Sequence, residues 1–223
     1  MRSLAEILAI AAARHGGAEA VLAAVPAVKS PAELEQIPDA TWLAQFARGI
    51  FQAGISWQVV DNKWPGITAA FHDFHPARVA MIEGDALDDL LMNPDVIRSG
   101  AKITAIRDNA VWMGQVAAEQ GSFAARIAHW PVNDHAGLLT WLAKEGSRLG
   151  GNTGAYALRA LGREGFMLSA DVTERLIVEG VIDAPATSTR ALKSVQEAFN
   201  QWQAESGLSL TAISRILAQS IDA

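Results

Sequence analysis

Two four-residue words constrain this chain most: Ser3-Leu4-Ala5-Glu6 and Ser30-Pro31-Ala32-Glu33. Each is a capping box, in which the serine hydroxyl accepts from an orphan amide and the glutamate reaches back to the serine N–H. Pro31 stands at a first helical position, where a missing N–H is harmless. After the first box Leu4, Ile7, Leu8 and Ala11 keep one apolar face until Gly16-Gly17 stops the helix. Asp39 is placed to cap a third helix, whose Leu43, Phe46, Ala47 and Ile50 share a face. Ile103, Ile106, Ala110, Met113 and Ala117 mark a long helix after Gly100, and Leu138, Trp141 and Leu142 mark another. Near the end, Val195, Ala198, Phe199 and Trp202 form one stripe and Leu210, Ile213 and Leu217 the next, with Ser206-Gly207 between them. No run of alternating, β-branched residues lies between turn signals. The pattern predicts an all-α protein of about ten short helices.

Half of the 223 residues are apolar, enough for a sizeable core, and no low-complexity linker divides them. We expect a single domain over 1–223, with the loop Asp183–Thr189 joining a hairpin region to two C-terminal helices. The chain has no cysteine, which excludes disulfides and thiolate metal sites and fits a reducing compartment. No apolar run reaches membrane-spanning length and the opening residues lack a signal-peptide core, so we expect a cytoplasmic protein without a membrane partner. The net charge of −6 argues against a generic nucleic-acid binder but leaves room for a local basic face. Lys144, Arg148, Arg159 and Arg163 fall within a stretch whose one acid is Glu145, and read either as such a face or as a solvated helix surface.

One segment has the local chemistry of an anion site. Arg148-Leu149-Gly150-Gly151-Asn152-Thr153-Gly154-Ala155-Tyr156 links a helix ending near Ser147 to one running to Leu161. Glycines there allow positive φ and close approach of a phosphate, and the next helix start offers unsatisfied N–H groups. An ordinary Gly-Gly helix stop reads the same way. His129, Asp134 and His135 around a Pro-containing loop could ligate a metal, although surface or packing roles are the commoner use. Neither a metal nor a cofactor is expected.

The order of words along the chain says more. Phe51-Gln52-Ala53-Gly54-Ile55-Ser56-Trp57 is followed by Lys63, by Ala70-Phe71-His72-Asp73-Phe74-His75-Pro76, by Ile97-Arg98-Ser99-Gly100-Ala101-Lys102-Ile103, and by Asn109-Ala110. This series resembles the bacterial type I 3-methyladenine-DNA glycosylases, continuously over roughly residues 43–113 and weakly again over 142–176. The resemblance implies a helix-hairpin-helix DNA glycosylase-like fold, with two helical subdomains around a cleft. It implies a base-pocket region at about 40–118, a hairpin region at about 136–180 and C-terminal helices at about 189–221. The activity implied is hydrolysis of the N-glycosidic bond of an alkylated purine, such as 3-methyladenine, in duplex DNA.

By the same resemblance, Trp57 stacks on the flipped base, with Phe51 and Tyr156 as further aromatic walls and Gln52 reading base edges. The alternative for each aromatic is core packing. Ser56 is a weaker candidate. Arg148, Gly151 and Thr153 would hold DNA phosphates, with Thr153 standing where a second hairpin glycine is usual. Lys102 is either a DNA contact or a solvated charge. Asp171, after Gly162-Arg163-Glu164-Gly165-Phe166-Met167-Leu168-Ser169-Ala170, stands where the superfamily has an aspartate at the pocket mouth. It would stabilise positive charge developing on the sugar, or cap a helix over 172–179, or both. Three departures accompany the match. Gly49 stands where these enzymes carry a base-recognising glutamate. Ala-rich helices replace an aromatic N-terminal segment. A zinc clasp of two cysteines and two histidines has no cysteines to build from. Two other classes therefore stay open: a damaged-DNA binding protein that has lost catalysis, and a helical module holding another ligand in the former base pocket.

Overall fold

A computed structural model describes residues 1–221, and every regular element among them is helical. In chain order these are α1 (Leu4–Arg14), α2 (Ala18–Ala23), α3 (Pro31–Glu35), α4 (Asp39–Gln52) and α5 (Trp57–Ala70), then a 3₁₀ turn (His72–Phe74). There follow α6 (Pro76–Val79), α7 (Asp85–Met92), α8 (Gly100–Gln120) and α9 (Phe123–Ala128), and a second 3₁₀ turn (Val132–Asp134). The chain closes with α10 (His135–Glu145), α11 (Asn152–Ala160), α12 (Ala170–Val178), α13 (Thr189–Ser206) and α14 (Leu210–Gln219). Fourteen α-helices stand against the ten expected, because pieces such as α6 and α9 are too short to show a helical period. Both capping boxes form: Ser3 N–H donates to Glu6 at 2.8 Å and Ser30 N–H to Glu33 at 2.8 Å. No described helix is long and apolar enough to cross a membrane.

The backbone gathers into two compact units. One comprises Met1–Lys29, Trp130–Leu138 and the chain from Gly162 on. Its core is the predicted stripes: Leu4, Ile7 and Ala11 of α1 meet α14, and α13 supplies Val195, Phe199 and Trp202. Phe166 stacks on Phe199 with ring centroids 4.4 Å apart. Polar side chains are buried here too, and their bonds are made within the unit. Arg175 donates to the Ser220 hydroxyl at 2.7 Å, to the Ser220 carbonyl and to Glu179 at 3.3 Å. Glu179 also accepts from the Arg2 amide and guanidinium, each at 2.8 Å. Thr211 and Ser214 of α14 accept from the Gly165 and Met167 amides, both at 3.1 Å. Only glycine fits at 165, since a Cβ there would lie 2.1 Å from the His135 ring.

Ser30–His129 and Leu139–Leu161 make the other unit. Helix α4 buries Trp42, Leu43, Phe46, Ala47, Ile50 and Phe51 against α8, α9 and α11. Trp42, Phe46 and Phe123 pack edge to face, and Phe123 joins Trp112 and Trp141. Asp39 does not cap its own helix. It is the first residue of α4, and its carboxylate accepts the Phe123 and Ala124 amides at 3.0 and 2.9 Å, so it caps α9 instead. His72, Asp73 and Phe74 are three consecutive L-residues with φ of 53°, 54° and 56°. That conformation costs about 1–2 kcal/mol per residue. A stack of Trp64, Phe74 and Phe71, with centroids 5.3 and 5.6 Å apart, holds it in place.

Candidate functional site

The outward stripe of α4 is what its buried face leaves over. Gln45, Arg48, Gly49 and Gln52 recur at helical spacing opposite the core residues and form one wall of a pocket of about 500 Å³. Helix α5 adds Trp57 and Asp61, one turn apart, and α11 adds Asn152, Thr153, Tyr156 and Ala160. All of these residues belong to a single unit.

The turn between α4 and α5 sets the position of Trp57. Gly54 takes φ 77°, a left-handed value natural to glycine, and the chain re-enters helix at Trp57 itself. Ser56 precedes that helix without a side-chain capping bond. Lys102 fixes the turn, its ammonium donating to the Phe51 carbonyl at 3.0 Å and the Ala53 carbonyl at 2.6 Å. Burial first, and then the Arg148 charge, lower its pKa. Lys102 therefore secures the end of α4 and is more than a solvated charge.

Trp57 is 59% exposed and Tyr156 45%, high values for large aromatic rings. They meet at 87° with centroids 6.3 Å apart, one wall set square to the other. Gln52 lies on the pocket wall as expected. Phe51 does not: it is fully buried and packs edge-on to Phe71. Residues 51 and 52 sit on different faces of one helix, so only the glutamine reaches the opening.

Gly49 has a steric explanation. A Cβ there would lie 3.1 Å from the Thr153 methyl carbon, so α4 and α11 approach too closely for a larger residue without movement. The pocket carboxylate stands elsewhere. Asp61 is 3.3 Å from the Arg48 guanidinium, which in turn lies 4.6 Å over the Trp64 ring. Pro65, inside α5, has no N–H to give the Asp61 carbonyl its helical bond.

The hairpin forms where the glycines predicted it. Arg148 and Gly151 take positive φ, of 59° and 58°, and Gly151 precedes α11. Leu149 buries itself and its carbonyl accepts the Gly154 amide at 3.1 Å. Gly154 is the sterically fixed glycine, since a Cβ would be 2.6 Å from that carbonyl. Arg148 is exposed beside the helix start. The sequence reading gave no role to Asn109, which is fully buried and clamps Ser147 by donating to its carbonyl at 2.9 Å and accepting its amide at 2.8 Å. A buried amide inside an otherwise apolar helical face was the available signal.

Asp171 lies in the other unit, exposed in the first turn of α12. It is not the cap: Ser169 is, accepting the Val172 amide at 3.3 Å. Its carboxylate is thus not engaged as the helix cap. Arg163 leaves the proposed basic face, being buried and donating to the Glu164 and Trp130 carbonyls, each at 2.6 Å. His129 pairs with Glu35 at 2.6 Å and His135 contacts the Phe166 carbonyl at 3.0 Å. Among the described residues no three His, Asp or Glu side chains group as metal ligands.

Comparison with known proteins agrees with the sequence reading. The methyladenine glycosylase family model matches residues 39–165, more than half of the chain. The chain is 39% identical over 59 residues to DNA-3-methyladenine glycosylase 1 of Escherichia coli (strain K12), and likewise to DNA-3-methyladenine glycosylase of Haemophilus influenzae. Each match takes in 26% of this chain and 32% of the relative, so the chain spans about a third of the curated relatives' length. Among solved structures, 3-methyladenine DNA glycosylase I aligns at 27% identity and TM-score 0.45, over 62% of this chain and 81% of that one. The same enzyme from Staphylococcus aureus aligns at 24% identity and TM-score 0.46, over 65% and 84%.

Proposed function

The chain belongs to the methyladenine glycosylase family, and from that premise we propose that it is a DNA repair glycosylase releasing an alkylated purine, such as 3-methyladenine, from duplex DNA. The observation that carries this reading is Trp57, a large aromatic exposed at a pocket mouth and set square to Tyr156, within the segment that matches the family. Enzymes that act on a base must extract it from the stack and hold it against aromatic faces. In this reading Trp57 stacks on the flipped base, Tyr156 closes one side and Gln52 meets its edge. Arg148 and the backbone around Gly151 and Thr153 take DNA phosphates at the start of α11.

The reaction adds water across the bond between the sugar C1′ and the base. A purine alkylated on a ring nitrogen carries positive charge, so the bonding electrons leave with the base and neutralise it. Positive charge then builds on the deoxyribose, water attacks C1′, and its proton passes to solvent. Asp171 is the carboxylate we assign to that developing charge. Stacking and modest electrostatics suffice for so good a leaving group.

Base release from methylated duplex DNA tests the reading. Wild type should free 3-methyladenine, and Trp57→Ala should lose that activity without loss of melting temperature. Asp171→Asn should slow single-turnover release by roughly 10²-fold while DNA binding holds, since the removed charge acts mainly in the transition state. Ser169 keeps the helix cap in that variant. Tight binding of damaged duplex with no release by wild type would instead select a non-catalytic binding protein. Equal rates for Asp171→Asn and wild type would remove Asp171 from the chemistry.

A further inference from the structure

A pocket that takes a cationic purine needs negative charge close to the ring, and in this one the charge has a single source. Among the residues lining the opening, Asp61 is the only acid. It stands on the same face of α5 as Trp57, one turn further on, and lines the same pocket. Its side chain is 49% exposed, and of its two oxygens only Oδ1 is paired, with Arg48 at 3.3 Å. Arg48 is in turn fixed on its other side by the Trp64 ring. The carboxylate is thereby oriented with one oxygen open to a donor. Gly49, on the same wall, adds no side chain to the opening, and a Cβ there would meet the Thr153 methyl at 3.1 Å.

We propose that Asp61 determines base specificity: it accepts a hydrogen bond from the amino edge of the alkylated purine and favours the electron-poor, methylated ring over the unmodified one. This rests on the glycosylase reading above. The physical basis is that ring methylation draws electrons from the amino group, and an N–H made more acidic binds an anion more strongly than it binds a neutral amide. The discrimination is therefore one of charge as well as shape.

Quenching of tryptophan fluorescence by the 3,9-dimethyladeninium cation, whose N9 methyl stands for the sugar and keeps the charge on the ring, and by neutral 9-methyladenine tests this, with Trp57→Phe as the control that ties the signal to the pocket. Wild type should bind the cation more tightly than the neutral ring. Asp61→Asn, isosteric and at an exposed position, should lose roughly tenfold or more of that preference, the size of one charge-assisted hydrogen bond, with a smaller loss for the neutral ring. Base release from methylated duplex should fall in parallel. A variant that keeps the wild-type preference overturns the role of Asp61 and leaves the glycosylase reading standing. Wild type that neither binds the cation nor releases 3-methyladenine from methylated duplex overturns both.

Discussion

The two units use the same polar residue types to opposite ends. In the unit that contains α12, α13 and α14, Arg175, Glu179, Thr211, Ser214 and Ser220 are buried, and each closes on a partner. Arg175, Glu179, Ser220 and Arg2 form one connected set. In the unit that contains α4, α5 and α11, Gln45, Arg48, Gln52 and Asp61 line an opening, where Asp61 pairs one oxygen with Arg48 and leaves the other open. A buried group left without its partner is costly, so a closed network rigidifies a core. The same groups at a pocket are held in readiness for a ligand. Partnering, more than residue type, separates structure from function here.

The comparison breaks most visibly at Arg175. Arg175→Ala would leave buried Ser220 without its arginine and Glu179 with Arg2 alone, and should destabilise the protein by about 3 kcal/mol. Denaturant unfolding measures this, whereas the exposed Trp57→Ala should leave the unfolding midpoint in place. Equal losses for the two variants would erase the distinction between the units. The next effect is smaller and concerns close packing in the pocket wall. Gly49→Ala gains helix propensity but pushes a Cβ to 3.1 Å from Thr153. Gly49→Ala should therefore stabilise a Thr153→Ser background more than it stabilises wild type, with a coupling of about 0.5–2 kcal/mol in a double-mutant cycle. Simple additivity would show that the contact relaxes freely.

The smallest effect is one of pH. Burial pushes the Glu179 carboxyl up, but the hydrogen bonds and charge of Arg2, with Arg175, outweigh it and hold the group below its ordinary value of 4.5. A carboxylate with a lowered folded pKa adds stability that is present above its unfolded value and is lost as pH falls through the folded one. Wild-type stability should therefore decline below about pH 4.5, and Glu179→Gln should flatten that part of the curve. Melting temperature against pH checks the slope, and parallel curves would exclude Glu179 as its source.

What the sequence made legible was local. The Ser3 and Ser30 capping boxes, the stripes of α1, α13 and α14 and the hairpin glycines all depend on neighbours within a few residues, and all are in place. What failed was long-range. Nothing near Asp39 says that its carboxylate serves a helix that begins at Phe123, and nothing near Lys102 points to the carbonyls of Phe51 and Ala53. Phe51 and Gln52 are adjacent in a motif, and only the packing of α4 assigns one to the core and the other to the pocket. Asp61 escaped notice for a similar reason. A lone aspartate on a helix reads as solvated charge until Arg48 and Trp57 are seen beside it.

The interleaving of the two units along the chain bears on how the protein is made. All of the unit that holds the pocket lies between residues 30 and 161. The other unit needs α1 to find α14, and some two hundred residues separate them. At roughly 5–20 residues per second, a ribosome takes ten seconds or more to deliver the second of these helices after the first. Throughout that interval the apolar face of Leu4, Ile7 and Ala11 is without its final partner, while the pocket-bearing unit has every residue it needs once Leu161 is made, before α13 and α14 exist.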